Sequence, residues 1–200
     1  MPINFYSPEI LAVIVFLLLV LIIITTILIT RKRSVSYQIA SVLKPYARDE
    51  IKDFIIPDGV GGLIEIEHLV LLEQGLLLIK TYPYSGNLFG AENIDQWTQI
   101  IDGRSFKFVN PLYHIHTSRL ALTAVTPKVP VFCRIVFTGN CIFPKGKPEE
   151  VSVLGSLADD LQLIKDAPTM ADRAQHGWDT ILRIARKNGQ AVKGRGPVNG

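Results

Sequence analysis

From Ile10 to Thr30 the chain runs as an unbroken apolar block, ILAVIVFLLLVLIIITTILIT, with no charge, glycine or proline. At 1.5 Å rise per residue a helix of that length spans roughly 30 Å, the thickness of a bilayer's hydrocarbon core. A buried core helix would carry polar residues at a 3.6-residue period on one side, and none appear. The pattern predicts a transmembrane helix over Ile10 to Thr30, with the threonines at its end bonding back to the helix backbone. A cleaved signal peptide would need a basic leader, a shorter apolar run and a small-residue cleavage site. The leader MPINFYSPE has no Lys or Arg, and Arg31, Lys32 and Arg33 follow the block directly.

Beyond that stop the periodicity changes. Val35, Ile39, Val42, Leu43 and Tyr46 recur at helical spacing, so Ser34–Tyr46 reads as an amphipathic helix ending near Pro45. A short strand is expected at Phe54–Ile56, before the turn Pro57-Asp58-Gly59. Leu63–Leu72 alternates, with Glu65 and Glu67 on one face, and Leu76–Tyr82 is an apolar strand. Pro83–Gly90 reads as a loop. Short strands are predicted from Trp97 to Phe108 around Asp102-Gly103, then a helix opened by Asn110-Pro111. Val129–Phe137 is a strand that Thr138-Gly139-Asn140 turns toward Cys141–Phe143. Pro148-Glu149-Glu150 opens a helix to about Lys165, and a last helix at about Met170–Lys187 puts Ala174, Trp178, Ile181, Leu182 and Ala185 on one face. The order makes an α/β layered domain.

Length and charge narrow the reading. Two hundred residues allow one ordinary domain plus an anchor. The net charge of +3 does not by itself argue for a nucleic-acid partner. Its distribution adds a little, since after Asp179 only basic residues occur, namely Arg183, Arg186, Lys187, Lys193 and Arg195. A solvated helix end and loose tail account for them, and anionic lipid or a nucleic-acid backbone is the sharper reading. Cys133 and Cys141 fit a reducing compartment and packing in a strand pair, because no Cys-x-x-Cys spacing exists. The three basic residues at 31–33 orient the anchor with the N-terminus outside and the domain in the cytoplasm.

An ordered series of landmarks carries a family likeness: Glu67-His68-Leu69-Val70, then Gly75 opening an apolar strand, Ser85-Gly86 and Gly90, an isolated Trp97, Phe108-x-Asn110-Pro111-Leu112, and Val136-Phe137-Thr138-Gly139. In this the chain resembles the nuclease-related domain (NERD) family, of the restriction-endonuclease-like PD-(D/E)xK superfamily. The resemblance implies a mixed sheet flanked by helices. It also implies a site in which an Asp on one strand and a Glu on the next bind a divalent cation, while a Lys two residues later helps activate water. Those positions here hold Glu67, Lys80 and Tyr82, and the acidic position often found on the first helix lies near Tyr37–Gln38.

The departures matter because of sign. A divalent cation wants hard anionic oxygens, and alternation puts Lys80 and Tyr82 on the strand face that looks toward Glu67. Two like charges 4 Å apart repel by about 4 kcal/mol at an effective dielectric of 20, and a doubly charged ion by about twice that. The expected outcome is a degenerate site in which a Glu67–Lys80 ion pair replaces the metal. No cofactor is expected; Mg2+ or Mn2+ belongs only to the active-nuclease alternative, with Glu65 and Glu67 as ligands or Glu73 swinging in. Glu65, Trp97 and Asn110 are candidate binding residues, although Trp97 and Phe108 also read as core landmarks. His114 and His116, two apart on a helix, point to opposite sides and make a poor ligand pair. The run from Ser85 to Gly90 lacks the Lys-Ser/Thr ending of a phosphate loop.

The organisation expected is a short extracytoplasmic N-terminus at 1–9, a transmembrane helix at 10–30, and a basic stop at 31–34. A NERD-like α/β domain at 35–145 follows, then C-terminal helices at 146–188 packing on it and a flexible tail at 189–200. The functional reading is a single-pass inner-membrane protein whose cytoplasmic domain binds DNA or RNA, or a membrane protein complex, without cutting. The alternatives are a membrane-tethered, metal-dependent nuclease and a structural component of a membrane complex.

Overall fold

The computed structural model describes residues 8–187, with the backbone alone at 8–10, 27–29, 31–33, 186 and 187. The chain divides into two units, residues 1–41 and 42–200. In the first, α1 runs Pro8–Arg33, 26 residues. Its threonines do bond back, Thr25 and Thr26 to the Ile22 carbonyl at 2.9 and 2.8 Å and Thr30 to that of Thr26 at 3.0 Å. Among the described residues no helix is long and apolar enough to cross a membrane; the side chains described in α1 are those of 11–26 and Thr30. The side chains of Arg31, Lys32 and Arg33 and the tail at 189–200 lie outside the described residues. Helix α2, Val35–Leu43, spans the boundary between the units.

The second unit is mixed α/β. A five-stranded sheet has the order β1 (Asp49–Pro57), β2 (Leu63–Leu71), β3 (Leu76–Tyr82), β7 (Val131–Phe137), β9 (Val151–Val153). The first three strands are antiparallel, and β7 and β9 add on in parallel. A second sheet has the order β6 (Arg104–Val109), β5 (Gln96–Ile101), β4 (Gly86–Phe89), β8 (Cys141–Ile142). Helix α3 (Pro111–Val125) packs on β7 and reaches β1, β2 and β3, and α5 (Ala171–Lys187) packs on β1, β2 and α3. Leu69, Leu71, Leu76, Leu78 and Ile135 meet Leu112, Ile115, Leu122, Trp178 and Ile181 in one core. Trp178 fixes α5 to the start of β1 by donating its indole N–H to Asp49 Oδ2 at 3.0 Å.

Four predicted elements change. Strand β1 is longer than Phe54–Ile56 and runs through Asp53, which takes a left-handed φ of 51°. That residue breaks the alternation, so Ile51 and Phe54, three apart, both enter the core, and the sequence DEIKDF does not read as period two. Pro83–Gly90 is not all loop: Leu88 is fully buried and Asn87–Phe89 pair with Ile100–Thr98 as β4. Cys133 and Cys141 do not share a strand pair. After β7 the chain passes so close to Tyr84 that a Cβ at Gly139 would sit 2.3 Å from its carbonyl, and β8 joins β4 in the other sheet.

The fourth change is at Pro148-Glu149-Glu150, which leads into β9 rather than a helix. Val151, fully buried, pairs with Ile135, and Lys147 holds the Val151 carbonyl at 2.8 Å. A short 3-10 turn follows, and α4 begins only at Leu157 and ends at Lys165. Asp159 and Asp160 lie in its first turn, where the helix dipole is positive. Residues 146–188 therefore contribute a strand as well as helices.

Gly90 shows how closely the loop between β4 and β5 wraps the Trp97 ring. A Cβ there would lie 2.1 Å from the Trp97 ring, which has no exposed surface and no room to move. Gly90→Ala is expected to lower stability by about 1–3 kcal/mol, the usual cost of forcing volume into a packed site. A denaturant titration should show a lower midpoint with an unchanged slope.

Candidate functional site

The site is built where two strands part. The β2–β3 ladder runs from Leu71↔Leu76 to His68↔Ile79 and stops. Just beyond, the Glu67 carboxylate fills the gap that the next rung would occupy. Its Oε1 accepts the Thr81 backbone N–H at 3.1 Å and the Thr81 hydroxyl at 2.6 Å. Its Oε2 lies 3.5 Å from Lys80 Nζ. Hydrogen bonds to an ionised acceptor are among the stronger ones, so the chain itself engages both carboxylate oxygens. Simple alternation turns Thr81 away from Glu67, and the parting of the strands is what brings it in.

Tyr82 continues the same strand. Its ring lies 6.0 Å from Tyr84 and 5.8 Å from Phe137, and its carbonyl accepts the Thr138 N–H at 2.9 Å and the Thr138 hydroxyl at 3.3 Å. Burial holds its phenol above the ordinary range, with Tyr84 and the Glu67 charge adding to the effect. Tyr82 is thus a neutral, half-buried wall of the site. Glu65 is exposed on β2 opposite Ile55, and Glu73 is exposed in the turn after β2.

A divalent cation would need several hard anionic oxygens. Here the Glu67 carboxylate is already hydrogen-bonded, with an ammonium group against it. Among the described residues no cluster of three or more His, Cys, Asp or Glu side chains is placed to hold a metal ion.

The other candidate residues take structural places. Trp97 is fully buried, donates its indole N–H to the Ala91 carbonyl at 3.0 Å, and packs against Phe108, Phe137 and Phe143. Asn110, also fully buried, caps α3 by accepting the Leu112 N–H at 2.9 Å. Its amide group donates to the carbonyls of Ala91, Glu92 and Ile94 at 3.3, 3.0 and 2.9 Å. Neither side chain presents a surface to a ligand, which corrects their reading as binding residues. Each is a tie that shapes the loop between β4 and β5.

Sequence reasoning missed several polar ties because their partners lie far apart along the chain. His116 and Arg119, one turn apart on α3, both reach Glu150, with Arg119 Nη1 at 2.8 Å from Oε1, while His114 is exposed. Beside them burial pushes the Cys133 thiol up to about 12, and the Glu150 charge adds to it. Lys147 binds both oxygens of Asp160 at 2.9 and 2.8 Å, and Ser156 donates to one of them at 2.8 Å. Burial alone would raise the Asp160 carboxyl, but the Lys147 and Ser156 bonds outweigh it and hold the group below its usual range. Arg134, buried in β7, donates to the carbonyls of Glu149 and Asp160. His68 is buried, and its Nε2 lies 3.0 Å from Glu50 Oε2.

Two measurements test these ties. Burial, helped by the Lys52 charge and opposed by Glu50, lowers the His68 pKa, so the fold favours the neutral ring. That contribution is complete above the unfolded value of about 6.5 and is lost as pH falls below it. Thermal stability should drop between pH 7 and pH 5, and His68→Gln should flatten that part of the profile. Asn110→Ala removes the cap and strands the Glu92 and Ile94 carbonyls, that of Ala91 keeping the Trp97 indole, an expected loss of about 2–4 kcal/mol by chemical denaturation.

With this geometry in place, comparison with known proteins is direct. The family model described as nuclease-related domain (NERD) matches residues 31–138. The chain is 24% identical over 151 residues to an uncharacterized protein of Bacillus anthracis, covering 73% of this chain and 71% of that protein. No solved structure matches. A match over more than half of the sequence settles the affiliation: this chain belongs to the nuclease-related domain family.

Proposed function

We propose that the chain is a membrane-anchored NERD module that does not cut nucleic acid and serves instead as a nucleic-acid-binding or protein-interaction module. The observation that carries this reading is the state of Glu67. The acid that an active relative would offer to a cation is bound on one oxygen by Thr81 and faced on the other by Lys80. On this reading the domain keeps the restriction-endonuclease-like plan over 35–145, with 146–188 packed on it. Metal-assisted hydrolysis needs a cation to polarise phosphate and lower the pKa of water, and this site offers a fixed positive side chain in its place.

Support for the anchor comes from α1. Its backbone is helical over 26 residues, roughly 39 Å at 1.5 Å per residue. Its described apolar side chains, such as Leu11 at 62% and Phe16 at 65%, are exposed. A surface of that extent in water is a liability, and a bilayer removes it. With Arg31, Lys32 and Arg33 following, the orientation is N-terminus outside and domain in the cytoplasm, a single pass through the inner membrane.

The full chain, incubated with plasmid and linear DNA in Mg2+ or Mn2+, is expected to leave both intact. A metal at a hundred times its dissociation constant adds about 2.7 kcal/mol to the folded state. The wild type should therefore show no metal-dependent rise in melting temperature, and Lys80→Glu combined with Thr81→Ala should gain one. Cleavage by the wild type, or a clear stabilisation of it by metal, sinks the proposal. DNA affinity that is absent even at low salt removes the nucleic-acid half of it and leaves the protein-interaction half.

A further inference from the structure

Strand β6 is an open edge. It pairs with β5 on one side, and no strand among the described residues pairs with the other. The turn before it, Asp102-Gly103, has φ of 49° and 73°, the signature of a two-residue type I′ hairpin. In that hairpin the closing residues Ile101 and Arg104 exchange both backbone bonds. Antiparallel rungs then alternate, so Gln99–Phe106 and Trp97–Phe108 are bonded rungs as well. It follows that Ser105, Lys107 and Val109 aim their N–H and C=O groups away from β5, outward. All three are exposed.

The side chains along this edge also have a direction. By register, Lys107 shares its face with Thr98, and Ser105 with Ile100. The opposite face carries Phe106, 48% exposed, and the half-buried Phe108. Arg104 and Lys107 are the strand's charges, both positive, and Asp102 sits at the hairpin tip. A second copy of the strand would set a basic edge against a basic edge, which disfavours self-pairing.

We propose that β6 is a docking edge for an extended acidic segment of another protein, which adds to the sheet as an antiparallel strand. Its backbone takes up the free groups of Ser105, Lys107 and Val109. Its acidic residues stand beside Lys107 and its apolar residues cover Phe106. This is strand addition, in which main-chain bonds supply affinity and alternate side chains supply selectivity. The inference stands apart from the Glu67 reading, because β6 lies in the other sheet and its edge is open whether or not Glu67 can bind metal.

The test uses the full chain in detergent micelles and a dye-labelled six-residue peptide alternating Glu and Val, read by fluorescence anisotropy. Residues opposite Ser105, Lys107 and Val109 are the ones whose N–H groups face β6. N-methylation at the Glu positions should therefore weaken binding at least tenfold, and N-methylation at the Val positions should leave it within about twofold. Ser105→Pro removes only an outward donor, which edge strands tolerate. It should also cost at least tenfold in affinity while the melting temperature holds. Lys107→Glu should reverse the preference toward a peptide alternating Lys and Val. The proposal is overturned if the Glu-methylated peptide binds as well as its parent, if the edge is filled by concentration-dependent dimerisation, or if duplex DNA rather than peptide charge governs occupancy.

Discussion

The arrangement of the larger sheet turns on the place where β2 and β3 stop pairing. Backbone groups at a strand end need partners, and here one side chain supplies them. Glu67 reaches across the gap and accepts both the N–H and the hydroxyl of Thr81. The same parting frees β2 to continue with β1 alone, through Phe54↔Ile66 to Pro57↔Leu63. Asp53, in its left-handed conformation, lies directly across from Glu67 in that hairpin. Both irregularities sit at one rung. A carboxylate used in this way belongs to the architecture of the strand end before it belongs to any chemistry.

From β3 the constraint passes to the second sheet through aromatic rings. Phe137 lies within 6.2 Å of Tyr82, Tyr84, Trp97 and Phe143, measured between ring centroids. Trp97 and Asn110 then take the carbonyls of the loop at 91–94 and convert them into anchors. Position 82 is therefore held from behind by packed rings, which favour an aromatic side chain there. A flexible lysine at that position would leave Tyr84 and Phe137 without the contact that Tyr82 makes.

Much of this was legible in the sequence, and the failures have causes. The apolar block, the alternating Leu63–Leu71 stretch, the Asp102-Gly103 hairpin, the Asn110-Pro111 helix start and the amphipathic last helix each carry a local signal. The nearness of Lys80 to Glu67 followed from alternation together with the family likeness. What escaped depends on distant partners. Asp53 hid half of β1 by inverting the pattern. Val151–Val153 is too short to read as a strand until β7 stands beside it. Trp97 reads as a core landmark as well as a binding candidate in one dimension and Asn110 as a binding candidate, and burial shows that their polar atoms are used inside. Thr81 was passed over because period two sends it to the wrong face.

The ion pair itself is a weak source of stability. The Lys80 side chain is 39% exposed and that of Glu67 28%, and exposed pairs contribute little once solvent screening is counted. Thr81 is the firmer partner, since it donates twice to a single charged oxygen. Lys80 therefore acts less as a clamp than as a charge held in place: it makes the opening beside Glu67 repel cations while costing the fold almost nothing. Removing that charge alone leaves Thr81 on Oε1, so the carboxylate stays turned toward its own strand. Lys80 and Thr81 thus engage Glu67 independently, one through charge and the other through hydrogen bonds.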